Sequence, residues 1–115
     1  MIDQLKSRFH SYRAYWMALA ALGCIACRKD GHFVSPVSIH HIDGRTKPDA
    51  SWRVLPLCAR HHQTGGKDAP AIHPWKRRFE ERYGTQAELM AECVNILMER
   101  RLNDSSHPHP PSSLG

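Results

Sequence analysis

Long apolar runs are missing from this 115-residue chain. Nowhere does it hold the roughly 20 consecutive apolar residues that a helix needs to cross a bilayer, which excludes a helical membrane span. The charged, apolar and small-residue succession of a secretory leader is missing from the N-terminus, so the expected compartment is the cytoplasm. Cysteine is scarce, at four residues. Three of these stand in Cys-x-x-Cys and Cys-x-x-His spacings and the fourth, Cys93, in a helix-like stretch. A disulfide framework is therefore the poorer fit, and thiolate–metal bonds in a reducing compartment the better one. Acidic residues are outnumbered, 11 against 16 Lys and Arg, for a net charge of +5. That balance favours a polyanionic partner such as nucleic acid and no membrane. A chain of this length makes one domain with a thin core, the size class in which a bound metal often supplies stability.

What the chain does have is histidine, nine residues of it, with the adjacent pairs His40–His41 and His61–His62 at its centre. Around them the elements read as follows. Leu5, Phe9, Tyr12, Trp16, Leu19 and Leu22 recur at spacings of three and four, which predicts one helix over 3–22 closed by Gly23. Cys24 to Gly31 reads as a knuckle ending in a turn. Phe33 to Ile42 is an extended apolar stretch, interrupted at Pro36 and ending in the first histidine pair. A polar loop over 43–51 returns to a second strand at Trp52–Leu55, and a short helix after Cys58 stops at Gly65-Gly66. Pro74 suits the first position of a helix over 74–83, with Trp75, Phe79 and Tyr83 four apart. Thr85-Gln86-Ala87-Glu88 is a capping box that opens a last helix over 86–101. The expected domain spans residues 1–102 and is α+β. Residues 103–115, including His107 and His109, read as a disordered tail.

Cys24-x2-Cys27 and Cys58-x2-His61 are two half-sites, each able to give two ligands to one tetrahedral ion. Together they predict a closed structural zinc, which contributes folding energy directly. Buried thiols without metal are the plainer alternative. His40 and His41 end a strand, so their side chains point to opposite faces and cannot share one task. One can hold a metal while the other meets a bound phosphate. Basic residues for DNA are Arg45 and Lys47 in the inter-strand loop, with Lys67, Lys76, Arg77 and Arg78 further on. Contacts of this kind are sequence-blind and salt-sensitive.

The chain resembles the HNH, or His-Me finger, endonucleases: Cys-x2-Cys, an apolar strand ending in His-His, then Leu-Cys-x2-His-His. More narrowly, Gly23-Cys24-x2-Cys27, Ile39-His40-His41, Pro56-Leu57-Cys58-x2-His61-His62, Ala71-Ile72-His73 and Phe79-Glu80-x2-Tyr83-Gly84 look like phage recombination-enhancement nucleases, which act with a host recombinase. The resemblance covers about residues 20–90. It implies a zinc-stapled ββα-metal core over about 23–66 with flanking helices, in a bacterial or phage-infected cell. It also implies a metal-dependent endonuclease of low sequence specificity, with DNA as substrate and a recombinase filament as partner. His41 matches the general base, His40 and His62 ligands of the catalytic cation, and His73 a third ligand. In-line attack of water then leaves a 5′-phosphate and a 3′-hydroxyl.

Two features depart from that pattern. The family's middle Asn has no counterpart between His41 and His62; Arg53 stands five residues before Cys58, leaving a backbone carbonyl to orient His41. An all-imidazole shell suits zinc, nickel or manganese better than magnesium, so the catalytic cation is open among Mg²⁺, Mn²⁺ and Zn²⁺. The rival readings are a non-catalytic zinc module that binds nucleic acid or protein, and a junction resolvase on the same scaffold.

Overall fold

Ser11 divides the N-terminal stripe. In the computed structural model, which describes residues 1–65 and 69–106, the expected single helix over 3–22 is two: α1 (Ile2–Arg8) and α2 (Tyr12–Leu22). The Ser11 side chain accepts from the Ala14 N–H at 3.2 Å and caps α2, a bond worth about 1 kcal/mol. Leu5, Leu19 and Leu22 of the expected stripe are buried, but Tyr15, outside that stripe, is buried with them, while Phe9, Tyr12 and Trp16 are only half-buried. Gly23 follows at φ 86°, and a Cβ there would lie 2.9 Å from the Phe33 ring and 3.1 Å from the Val34 carbonyl oxygen. Only glycine allows that close approach and that φ together.

The knuckle is a short helix, α3 (Ile25–Lys29), capped by the Cys24 thiol, which accepts from the Cys27 N–H at 3.5 Å. After Pro36 the extended stretch becomes β1 (Ser38–His41), and β2 is Val54–Leu57, two residues later than the expected Trp52–Leu55. The cause lies in the connecting loop. Asp49, at φ 62°, winds the chain so that its carbonyl accepts from Trp52 and Arg53, and both residues belong to that turn. The strands pair antiparallel with His40 opposite Leu55 and His41 opposite Val54. The Ile42 N–H bonds the Arg53 carbonyl at 3.0 Å. By alternation Pro56, opposite Ile39, falls where a strand N–H points outward, so its missing donor removes no ladder bond.

Cys58 and Ala59 lead into a π-helical turn, Arg60–Thr64, whose signature is the Gly65 N–H bonded to the Arg60 carbonyl five residues back at 2.7 Å. Helix α4 spans Ile72–Tyr83, with non-helical backbone at His73 and Trp75, so its regular part begins later than Pro74. Phe79 and Tyr83 are buried, whereas Trp75 is 41% exposed and leaves the expected stripe. Helix α5 runs from Gln86 to Ser106, further than the expected 101 and into the stretch read as tail. The reciprocal Thr85–Glu88 bonds of its capping box are 2.8 and 3.1 Å long. His107 and His109 lie outside the described residues, as do Gly66 and Lys67.

The fold is thus a small α+β arrangement, a two-stranded sheet among helices. Val54, Leu55 and Leu57 of β2 pack with Leu19 and Leu22 of α2, Ile25 of α3, Phe79 of α4, and Leu89, Met90, Cys93 and Val94 of α5 in one core. Each fully buried Leu or Phe contributes about 1.5–3 kcal/mol. Burial holds the Cys93 thiol up at about 12, and it behaves as a small core residue. Among the described residues, no helix is long and apolar enough to cross a membrane.

Candidate metal centres and the histidine cleft

Three thiols and one imidazole converge where α3, the end of β2 and the π-helical turn meet. His61 Nδ1 lies 3.6 Å from Cys24 Sγ, 3.4 Å from Cys27 Sγ and 3.4 Å from Cys58 Sγ, and Cys27 Sγ is 3.7 Å from Cys58 Sγ. A tetrahedral zinc with ordinary Zn–S and Zn–N bonds needs edges of about 3.8 Å between sulfurs and about 3.6 Å from sulfur to nitrogen. The four buried residues therefore fit a metal such as zinc. Burial pushes the Cys24 and Cys27 thiols up, a direction that a cation bound to thiolates reverses.

The far side of the His61 ring is also held. Its Nε2 lies 2.9 Å from the Tyr83 hydroxyl, which donates to Asp30 Oδ2 at 2.8 Å; Asp30 Oδ1 in turn meets Arg82 at 3.3 Å. Because the Tyr83 proton goes to the carboxylate, its oxygen accepts from His61 Nε2–H, and the Nδ1 lone pair faces the thiols. This is the support that metal-ligating histidines ordinarily receive. Burial, chiefly, holds His61 below the usual imidazole range and Tyr83 up at about 12.

A second cluster lies in a cleft of about 560 Å³ lined by both strand-end histidines, His62, His73, Arg45, Lys76 and Gln86, among others. His40, His62 and His73 each bring a ring nitrogen within 4.8 Å of the other two, a set that could hold a metal. Their ring centroids are 5.1–5.4 Å apart. Three elements supply them: β1, the π-helical turn and the irregular start of α4. His73 reaches the others from extended backbone, φ −115° and ψ 118°. Burial, first of all, pulls His40 down to about 4 and lowers His62, so both are neutral donors at pH 7. Ser38 fixes the His62 ring. Its hydroxyl donates to the Leu57 carbonyl at 3.2 Å and lies 2.7 Å from His62 Nδ1. With the one hydroxyl proton so placed, Nδ1–H donates and Nε2 keeps its lone pair.

His41 shares the cleft but not the cluster. Its ring meets Trp16 edge-on at 5.5 Å, and Trp16 is anchored by its indole N–H to the Ser51 carbonyl at 2.8 Å. Burial and then the Arg45 cation lower His41 from the ordinary 6.5, while a backbone hydrogen bond to Ile39 acts the other way. Arg53, five residues before Cys58, turns to Asp43 at 2.6 Å.

Of the basic residues, Arg45 and Lys76 line the cleft, and Lys47 lies with Arg45 in a neighbouring depression beside Tyr12 and Trp52. Arg77 pairs with Glu81 at 3.4 Å on an exposed helix face, and Arg78 is exposed. Sequence reasoning gave Ser38, Gln86, Tyr83, Asp30 and Trp16 no part in the site, reading Gln86 within a capping box and Trp16 and Tyr83 within apolar stripes. Ser38 and Gln86 carry no local signal, since each acts across the fold. Residues 10–98 match the family described as recombination enhancement, RecA-dependent nuclease.

Proposed function

Since the chain belongs to the recombination-enhancement, RecA-dependent nuclease family, we propose that it is an HNH-type endonuclease. It hydrolyses DNA phosphodiesters with a histidine base and a divalent cation, and acts together with a RecA-type recombinase. The observation that carries this reading is the convergence of His40, His62 and His73 in one cleft with His41 beside them. In it, β1, β2 and the turn after Cys58 form a ββα-metal core stapled by zinc on Cys24, Cys27, Cys58 and His61.

His40, His62 and His73 would hold the cation, which when bound would supply positive charge to offset the negative charge developing on the phosphate and on the departing oxygen. His41, neutral at physiological pH, takes the proton of the attacking water. The water oxygen bonds to phosphorus as the bond from phosphorus to the 3′ oxygen breaks. The released oxygen is protonated from solvent, leaving a 3′-hydroxyl and a 5′-phosphate. Trp16 limits the ring motion of His41, and the Ile39 backbone stands in for the absent Asn.

Arg45 and Lys76, flanking the cleft, meet the phosphates of the cut strand. Lys47, Arg77 and Arg78 extend the basic track, and Lys67 belongs to it by sequence. Phosphate contacts carry no base information, so the expected specificity is low. The test is supercoiled plasmid incubated with the purified protein, with and without Mg²⁺ or Mn²⁺, and with and without a RecA filament. Nicked and linear products that require the cation are expected. No cutting under any of these conditions would sink the reading.

A further inference from the structure

Gln86 lies next to the Thr85 cap of α5, yet its side chain is buried, 8% exposed. Its amide oxygen is 2.8 Å from His40 Nε2, and its amide nitrogen donates to Glu80 Oε2 at 3.4 Å. The carboxylate orients the amide: an NH₂ group faces it, so the oxygen faces His40. An amide oxygen only accepts, so His40 Nε2 carries the proton and Nδ1 keeps its lone pair. A buried glutamine side chain gives up rotamer freedom, so a well-made pair of bonds is needed to offset that cost.

We infer that Gln86 is the positioning residue of the histidine cluster, its amide holding His40 in the tautomer and orientation that can ligate a cation. This rests on the reading of His40, His62 and His73 as the cation site and adds the group that presets it. The corner between α4 and α5 then supports both clusters, with Tyr83 behind His61 and Gln86 behind His40.

The test is a Co²⁺ titration of protein whose cysteine cluster is already loaded with zinc, read by heat and by the visible d–d bands. Wild type is compared with Gln86→Ala and with the exchanged pair Glu80→Gln/Gln86→Glu, which keeps an acceptor facing His40 and a donor facing it from residue 80. Gln86→Ala should raise the Co²⁺ dissociation constant about 10- to 100-fold, the usual effect of losing a group behind a ligand. Band positions should stay unchanged, since the same atoms touch the metal. The exchanged pair should return the constant to within severalfold of wild type, which also separates positioning from a fault in folding. Unchanged affinity in Gln86→Ala overturns the inference. So does a shift in the bands, because it would make Gln86 itself a ligand. If Co²⁺ binds with this dependence on Gln86 while wild type cuts no DNA, the nuclease reading fails and the positioning role stands.

Discussion

His61 and His62 are joined by one peptide bond and turned toward different clusters. His61 Nδ1 lies among three thiols at 3.4–3.6 Å, whereas the His62 ring packs 5.2 Å from that of His40. Successive residues in a helical turn diverge by roughly a quarter turn, so one short segment serves both sites. The consequence is mechanical: whatever fixes the backbone at His61 fixes it at His62. A metal at the cysteine cluster would then preset the cleft without touching DNA.

Cys58→Ser should lose about one zinc per chain and lower the melting temperature, since binding and folding are coupled at such sites. The edges of the cluster match a zinc tetrahedron, and Cys58 supplies one corner. Metal content by mass spectrometry and a thermal melt decide it. Unchanged zinc and unchanged melting would remove Cys58 from the site.

Tyr83→Phe should leave the fold intact and weaken zinc about tenfold, because only the hydroxyl between His61 and Asp30 is removed. Phe keeps the ring that packs against Phe79 at 5.1 Å. Competition with a chelator measures the change. Wild-type retention of zinc would make the Tyr83–Asp30 bond incidental to the site.

The grouping of these residues was legible in the chain where paired spacings carry it. Cys24-x2-Cys27 and Cys58-x2-His61 each span one turn, so local geometry alone directs two ligands together. His73 was reachable only through family resemblance, since its backbone is irregular and no spacing joins it to His40. Ser11 is a capping residue inside an unbroken apolar stripe, and the stripe outweighed it in the reading of one long helix. The shift of β2 came from Asp49 adopting a left-handed backbone, which nothing in its neighbours requires. Gln86 and Ser38 were invisible for a different reason. Their partners stand 46 and 24 residues away, and polar side chains in a cap or a strand are ordinarily surface groups.

His41→Ala should fold and bind the same metals yet lose at least about a hundredfold in plasmid cutting, within the range a positioned general base supplies. The substitution leaves His40, His62 and His73 in place. The measurement is the single-turnover rate at saturating cation, alongside metal content. Cutting at the wild-type rate would take His41 out of the mechanism.

Cleavage should rise with pH along a single ionisation centred below 6.5, and level off above about 7. The sign follows from the environment of His41: burial and the Arg45 cation both disfavour imidazolium, so the basic form appears at lower pH than in a free histidine. Arg45→Ala removes one of these effects and should move the midpoint of kcat upward. Salt should shrink that displacement, because an exposed charge is screened. A flat profile over pH 5 to 7, with the protein folded throughout, would point to another base or to a step other than chemistry.

His73→Ala tests the member of the cluster held least firmly by the fold. His40 is buried and bonded to Gln86, and His62 is bonded to Ser38, whereas His73 is exposed on irregular backbone. Its ring nevertheless stands 5.1 Å from His40 and 5.4 Å from His62. A third imidazole adds affinity for the cation without being needed for the proton transfer at His41. The variant should therefore cut poorly at low Mn²⁺ and recover in part as Mn²⁺ is raised, while zinc at the cysteine cluster stays bound. The half-saturating Mn²⁺ concentration for cleavage is the readout, and an increase of about tenfold or more is expected for losing a direct ligand when even a supporting group costs that much. If the half-saturating concentration matches wild type, the cation is held by His40 and His62 alone, and His73 is a bystander at the mouth of the cleft.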